Sequence, residues 1–145
     1  MRLATANWII KKNEEPYLPL SIFRLDTMEY IGGTGFHHMN WEIPAFETGY
    51  WLNVQHQNQG FMTEAVHAIA RYAFIELHAK RLEIRCDITN VRSKKIPERL
   101  GFHLEATLKN NRINPHTQAL SDTLVYALYD LDSLPSLSTH WPTSS

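Results

Sequence analysis

The stretch "HQNQGFMTEAVHAIARYAF", His56 to Phe74, passes from a polar loop into an apolar segment of helical period without a break. The start of a helix carries about four backbone N–H groups with no partner inside the helix, together with a partial positive charge. It therefore suits an anion, a phosphate above all, and Gly60 lets such a ligand approach the backbone closely. Two common phosphate sites are excluded by the neighbours. A nucleoside-triphosphate loop needs Lys-Ser/Thr after its last glycine, where Phe61 and Met62 stand here, and a dinucleotide fingerprint needs more glycines than Gly60 alone. A capped helix after a polar turn is the plain alternative.

Other reactive groups point to less chemistry. The eight histidines are scattered, and His37 and His38 are adjacent, so on a strand they face opposite sides and do not share a metal. No metal site is expected. Cys86, the single cysteine, has no partner for an internal disulfide and lies in the apolar line of its strand, which makes it core rather than nucleophile.

The loop has to be positioned by its flanking elements. Leu3, Ala6, Ile9 and Ile10 fall at helical spacing, which predicts a helix over 2–12. "YLPLSIFRL" (17–25) and "YIGGTGFHHM" (30–39) read as a hairpin across "DTME", with Pro19 at a strand start or edge. A loop (40–45) leads to the alternating strand "FETGYWLNV" (46–54). After Thr63, the residues Ala65, Val66, Ile69, Ala70, Ala73, Phe74 and Leu77 make one buried helical stripe. "RLEIRCDI" (81–88) is a strand, "NVRSKKIPERLGF" (90–102) a short helix closed by Gly101, and "FHLEATL" and "TLVYALYDL" (123–131) two further strands. The polar segment 108–122 between them is expected to be a long, solvated hairpin loop. Pro97 cannot donate to the carbonyl of Ser93, which predicts a loosened helix there.

At 145 residues the chain is expected to hold one domain over 1–131, with the Pro/Ser/Thr-rich 132–145 a flexible tail. A net charge of -1 without a run of lysines or arginines argues against nucleic acid as a partner. No apolar run reaches the roughly 20 residues a membrane span needs. The start "MRLATANWII" is followed by Lys11, Lys12, Glu14 and Glu15 with no small-residue cleavage site, so no signal peptide is expected, and the location is expected to be cytoplasmic.

Three pieces in order, "ETGYWL", "GFMTEA" and "NVRSKKIPERLGF", carry a likeness to known proteins. They resemble the GNAT superfamily of acyl-coenzyme A-dependent N-acetyltransferases, and within it the branch that includes the RimJ/RimL ribosomal-protein N-acetyltransferases. The resemblance covers most of 17–131 and implies a mixed, largely antiparallel α/β sheet with flanking helices. It also implies a cleft between the strands 46–54 and 81–88, where acetyl-CoA inserts as cosubstrate, with no metal. Backbone groups of Leu52, Asn53 and Val54 would hold the pantetheine arm, and the N–H groups of Gln59, Gly60, Met62 and Thr63 the pyrophosphate. The family's Gln/Arg-x-x-Gly-x-Gly/Ala pattern is met by Gln57 and Gly60, with Asn58 where the branch usually has Gly. Asn90 would bond the coenzyme arm, its alternative being a simple helix cap.

For the chemistry, the resemblance implies Glu47 as the base that deprotonates the amine and Ser93 as the hydrogen-bond donor to the departing thiolate. A solvent-facing strand residue is the alternative for Glu47. Many GNAT enzymes carry a tyrosine acid where Pro97 stands, so that role is absent at this position. Asn110, Asn111 and Arg112 fall where the family borders its acceptor site.

The expected acceptor is a primary amine, by resemblance a protein N-terminus. A small amine such as a polyamine or an antibiotic is the alternative within the same chemistry, and a non-catalytic acyl-CoA-binding module the alternative outside it. Family members usually have a strand and one or two helices ahead of the segment matching 1–12, so the chain is expected to be shortened at its N-terminus. A homodimer could then cover the exposed edge.

Overall fold

A computed structural model of the chain describes residues 2–4, 18–57 and 59–136. Among them, a seven-stranded sheet runs in the order β1-β2-β3-β4-β5-β7-β6. The strands are β1 (Arg2–Ala4), β2 (Leu18–Phe23), β3 (Tyr30–Asn40), β4 (Ala45–Leu52), β5 (Arg81–Asp87), β6 (His103–Ile113) and β7 (Leu120–Leu128). Helix α1 (Phe61–Ile75) connects β4 to β5, and α2 (Val91–Arg99) follows β5. All the pairs are antiparallel except β4 and β5, whose parallel neighbours are joined through a helix as such pairs require.

The predicted stripe of α1 is the core. Ala65, Val66, Ile69, Ala70 and Ala73 are buried against Phe36 and Phe46, with Phe74 and Leu77 packed at the margin. Phe36 stacks on Tyr72 of the helix at 6.4 Å and meets Phe46 at 5.7 Å, which fixes β3 and β4 beneath it. Cys86 is buried in this core, and burial pushes its thiol up to about 11, so it stays protonated and inert.

Five expectations change. Residues 2–4 form an edge strand, paired with Ser21, Ile22 and Phe23, and not the start of a helix; residues 5–12 lie outside the described residues. A short helix has a costly nucleus, whereas the free edge of β2 offers ready hydrogen bonds. The long loop at 108–122 is a continuation of β6 and β7, closed by a tight turn in which Asn114 donates to Ala119 at 2.9 Å and Gln118 to Asn114 at 2.8 Å. The polar residues Lys109, Asn110, Asn111 and Arg112 belong to the edge strand β6 and not to a loop.

His38 has a φ of 46°, and the register of β3 shifts between His37 and Asn40. This bulge cancels the expected alternation and carries the His38 imidazole to Glu47, on the face where His37 lies over Gly49. Finally, α2 runs unbroken through Pro97, and the freed carbonyl of Ser93 accepts a hydrogen bond from the Tyr50 hydroxyl at 2.7 Å. Of the stretch expected to be mobile, residues 132–136 run back along the core: Leu134 packs on it, and His67 Nε2 donates to the Pro135 carbonyl at 2.7 Å. Residues 137–145 lie outside the described residues.

Candidate active site

The parallel ladder between β4 and β5 has only three rungs, Ala45 with Arg81, Phe46 with Leu82 and Glu47 with Glu83. Beyond Glu47 the strands diverge, and β4 continues to Leu52 and β5 to Asp87 without pairing to each other. Strand backbone has to be bonded or wetted, so a gap of this kind is an opening into which an extended ligand fits. A cleft of about 770 Å³ occupies it.

The N-terminus of α1 opens into this cleft. Gly60 is its cap residue, with φ 80°, and no side chain caps the helix. Gly60, Phe61, Met62 and Thr63 line the cleft, so the unbonded N–H groups of the first turn are available to a ligand. Gln57 is tied to both walls, its amide donating to the Leu52 carbonyl at 3.3 Å and its oxygen accepting from Arg92.

The opposite wall is α2. Asn90 caps it, accepting from the Ser93 N–H at 3.1 Å, which is the simple cap foreseen as its alternative role. Arg92, Ser93, Lys95, Ile96 and Arg99 of this helix line the cleft, and Arg112 adds a further cation from β6. The near-neutral chain thus concentrates positive charge in one place. Spacings of three and four residues on a helix put side chains on one face, so the sequence does carry a signal for Arg92, Lys95 and Arg99 as a basic face, one that the motifs at the two ends of this helix do not reveal.

Of the sequence-predicted site residues, Leu52, Gln57, Gly60, Met62, Thr63, Asn90 and Ser93 come together around the cleft. Asn53, Val54 and Gln59 do not line it. Asn53 donates its N–H to the Ile31 carbonyl and accepts from the His56 N–H, both at 2.9 Å, because a single 3-10 turn, Val54–His56, ends the strand at Leu52. The Gln59 side chain donates to the Gln55 carbonyl at 3.1 Å. Tyr50 was not singled out in the sequence, and nothing local marks it, since its partner Ser93 lies 43 positions away.

Glu47 sits at the last rung before the strands part, half-buried, with His38 Nδ1 2.6 Å from its Oε2. It does not line the cleft. Its neighbour Glu83 is engaged by Arg81 at 2.8 Å and by Arg85; burial pushes the Glu83 carboxyl up, but these arginines outweigh it and hold it below the usual range. Among the described residues, Glu47 has no such lysine or arginine partner.

Asp87, at the end of β5, is the buried carboxylate of the cleft wall. It accepts from Ser121 Oγ at 2.6 Å and from the N–H and hydroxyl of Thr89 at 2.9 and 2.8 Å, and Thr89 in turn accepts from Asn114 at 3.0 Å. Burial pushes its carboxyl up, and the hydrogen bonds from Ser121 and Thr89 more than reverse this, leaving it below its ordinary value. Its stabilisation is therefore present above the ordinary carboxylate pKa of about 3.9 and lost as pH falls through the lower folded value. Asp87→Ala should cost about 2 kcal/mol by stranding these donors, read as a lowered midpoint in urea at pH 7, with the gap to wild type narrowing below about pH 4.

Among the described residues no cluster of histidine, cysteine and carboxylate side chains could hold a metal ion, and no helix is long and apolar enough to cross a membrane.

Residues 1–103 match the family model described as an acetyltransferase (GNAT) domain. The chain belongs to the GNAT acetyltransferase family. Among curated relatives of this GNAT domain, the ribosomal-protein-serine acetyltransferase of Escherichia coli (strain K12) is 34% identical over 88 residues, 61% of this chain and 48% of the relative. The probable N-acetyltransferase YjcK of Bacillus subtilis (strain 168) is 40% identical over 103 residues, 70% of this chain and 56% of the relative. The chain spans about half the length of the curated relatives it matches, 48 to 51% for three of them.

Solved structures agree on the fold. A GNAT-family acetyltransferase from Bacillus anthracis superposes with a TM-score of 0.68 at 25% identity, covering 77% of this chain and 65% of the other. The spermidine N-acetyltransferase SpeG of Vibrio cholerae, in its F149A form, gives 0.74 at 15% identity, covering 81% and 68%. At that identity the likeness is one of fold.

Proposed function

We propose that this GNAT domain binds acetyl-CoA in the β4–β5 cleft and directs its acetyl group to a primary amine in a ternary complex. The observation that carries the reading is the meeting of three features in one opening: parted strands, an uncapped α1 N-terminus and the basic face of α2. Acetyl-CoA suits this donor set, since its phosphates match the free N–H groups and the cations Arg92, Lys95 and Arg99, and its extended arm matches a gap between strands. When bound, it supplies a thioester carbonyl reactive toward amines.

The chain's own residues account for the proton and charge movements. An alkylamine is mostly protonated at neutral pH, so Glu47 takes its proton, through a water since it stands outside the cleft lining, and the neutral nitrogen forms the new C–N bond. The C–S bond then breaks, and the Ser93 hydroxyl on the cleft wall donates a hydrogen bond to the thiolate. A thiol pKa near 8.5 makes full protonation during this step worth little. The amine favoured is a protein N-terminus, by likeness to the ribosomal-protein-serine acetyltransferase; the spermidine enzyme's shared fold keeps small polyamines as the competing acceptor. A cytoplasmic location accords with such acceptors.

The position of Glu47 outside the cleft favours a second reading, a binding module without turnover. Amine-dependent release of coenzyme A separates the two. The enzyme reading expects that release, and expects Glu47→Gln and Ser93→Ala each to lower kcat by about tenfold or more with acetyl-CoA affinity nearly unchanged. Tight binding with no release across peptides and polyamines would leave the binding module.

A further inference from the structure

We infer that Tyr50 is a positioning residue that sets the orientation of Ser93 across the cleft, taking the place of a hydrogen bond that Pro97 removes from α2. In a regular helix the carbonyl of Ser93 would accept from the N–H of residue 97, and proline has none. The Tyr50 hydroxyl donates to that carbonyl instead, at 2.7 Å. Tyr50 belongs to β4 beyond its last rung with β5, so its ring spans the region where the two strands share no hydrogen bonds.

Ser93 is therefore held at both backbone ends by side chains. Asn90 Oδ1 accepts from its N–H at 3.1 Å, Tyr50 donates to its carbonyl, and both partners line the same cleft as Ser93 itself. Among the described residues no hydrogen bond engages the Ser93 hydroxyl, so the backbone pins are what fix its position. A second tyrosine, Tyr126, ties the far end of α2 by donating to Glu98 at 3.0 Å.

Tyr50 does not serve as the acid that Pro97 fails to provide. Burial pushes its hydroxyl well above the ordinary tyrosine value, and its proton is committed to the Ser93 carbonyl. It acts through Ser93. This rests on the acetyltransferase reading for its effect on rate, though the pin itself does not.

The test is a double-mutant cycle between Tyr50→Phe and Pro97→Ala, read by turnover and by thermal unfolding. Phenylalanine keeps the ring and removes only the donor. Alone, Tyr50→Phe should lower kcat by about fivefold to tenfold with acetyl-CoA affinity within about twofold, and lower Tm by about 3–6 °C. In the Pro97→Ala background the alanine N–H serves the Ser93 carbonyl, so the same change should cost less than about twofold in kcat and about 1 °C in Tm. With Ser93→Ala already present, Tyr50→Phe should reduce the rate no further.

Equal losses from Tyr50→Phe with and without Pro97→Ala, or no loss in either background, would overturn the inference. Absence of turnover in the wild type would count against the acetyltransferase reading, and coupling of the two Tm shifts would then still support the pin, while its absence would remove both.

Discussion

Gly60→Asp is expected to weaken acetyl-CoA binding by about 100-fold or more, on the order of 2.7 kcal/mol, while leaving the protein folded. The backbone at Gly60 has φ 80°, and aspartate is among the side chains that tolerate this region. A Cβ built there meets nothing within 4 Å, so no clash adds to the strain. An aspartate at this position places a negative charge beside the N–H groups of the first turn, where the phosphates would sit. A carboxylate that suits the positive end of the helix should therefore repel the ligand. Gly60→Asn separates charge from backbone strain, since it has nearly the same shape without the charge and should lose much less affinity. Titration calorimetry with a thermal melt of each variant checks this; an Asp variant that binds as wild type would mean that phosphate does not lie on α1.

Gly101→Val should be the most destabilising of the changes proposed, at about 3 kcal/mol or more, lowering Tm by about 10 °C. Gly101 closes α2 with φ 77°, a conformation that a β-branched residue adopts only at high cost. A Cβ there would also run into the carbonyl oxygen of Ser133, which is backbone and cannot swing aside. The glycine thus serves two purposes, ending the helix and admitting the chain that returns after β7. If the variant melted at the wild-type temperature, the segment ending at Pro135 would not be docked as described.

The features legible in the sequence were those with a local cause. The apolar stripe of α1 follows from helical period, the alternation in β4 and β5 from a two-residue period, and the uncapped N-terminus of α1 from a glycine before a helix. Three ordered motifs then tied these pieces to the GNAT family, and most of the residues so chosen do meet around one cleft. What remained hidden depends on partners distant in sequence or on backbone irregularity. Strand β1 exists through its pairing with β2, and the outer half of β6, from Leu108 to Ile113, reads as a loop because an edge strand keeps polar residues on wetted positions. The bulge at His38 changes which way an imidazole points, and no pattern of residue types announces it. Pro97 was legible as a missing donor, but only the folded chain reveals that Tyr50 supplies the replacement.

Calorimetric titration of the 145-residue chain with acetyl-CoA tests the central claim most directly. The account predicts binding near one site per chain at micromolar strength, falling by about 100-fold in Gly60→Asp, corresponding to about 2.7 kcal/mol. A folded chain that takes up no acetyl-CoA, or binds it equally well with aspartate at position 60, would contradict the assignment of the β4–β5 cleft as the cofactor site.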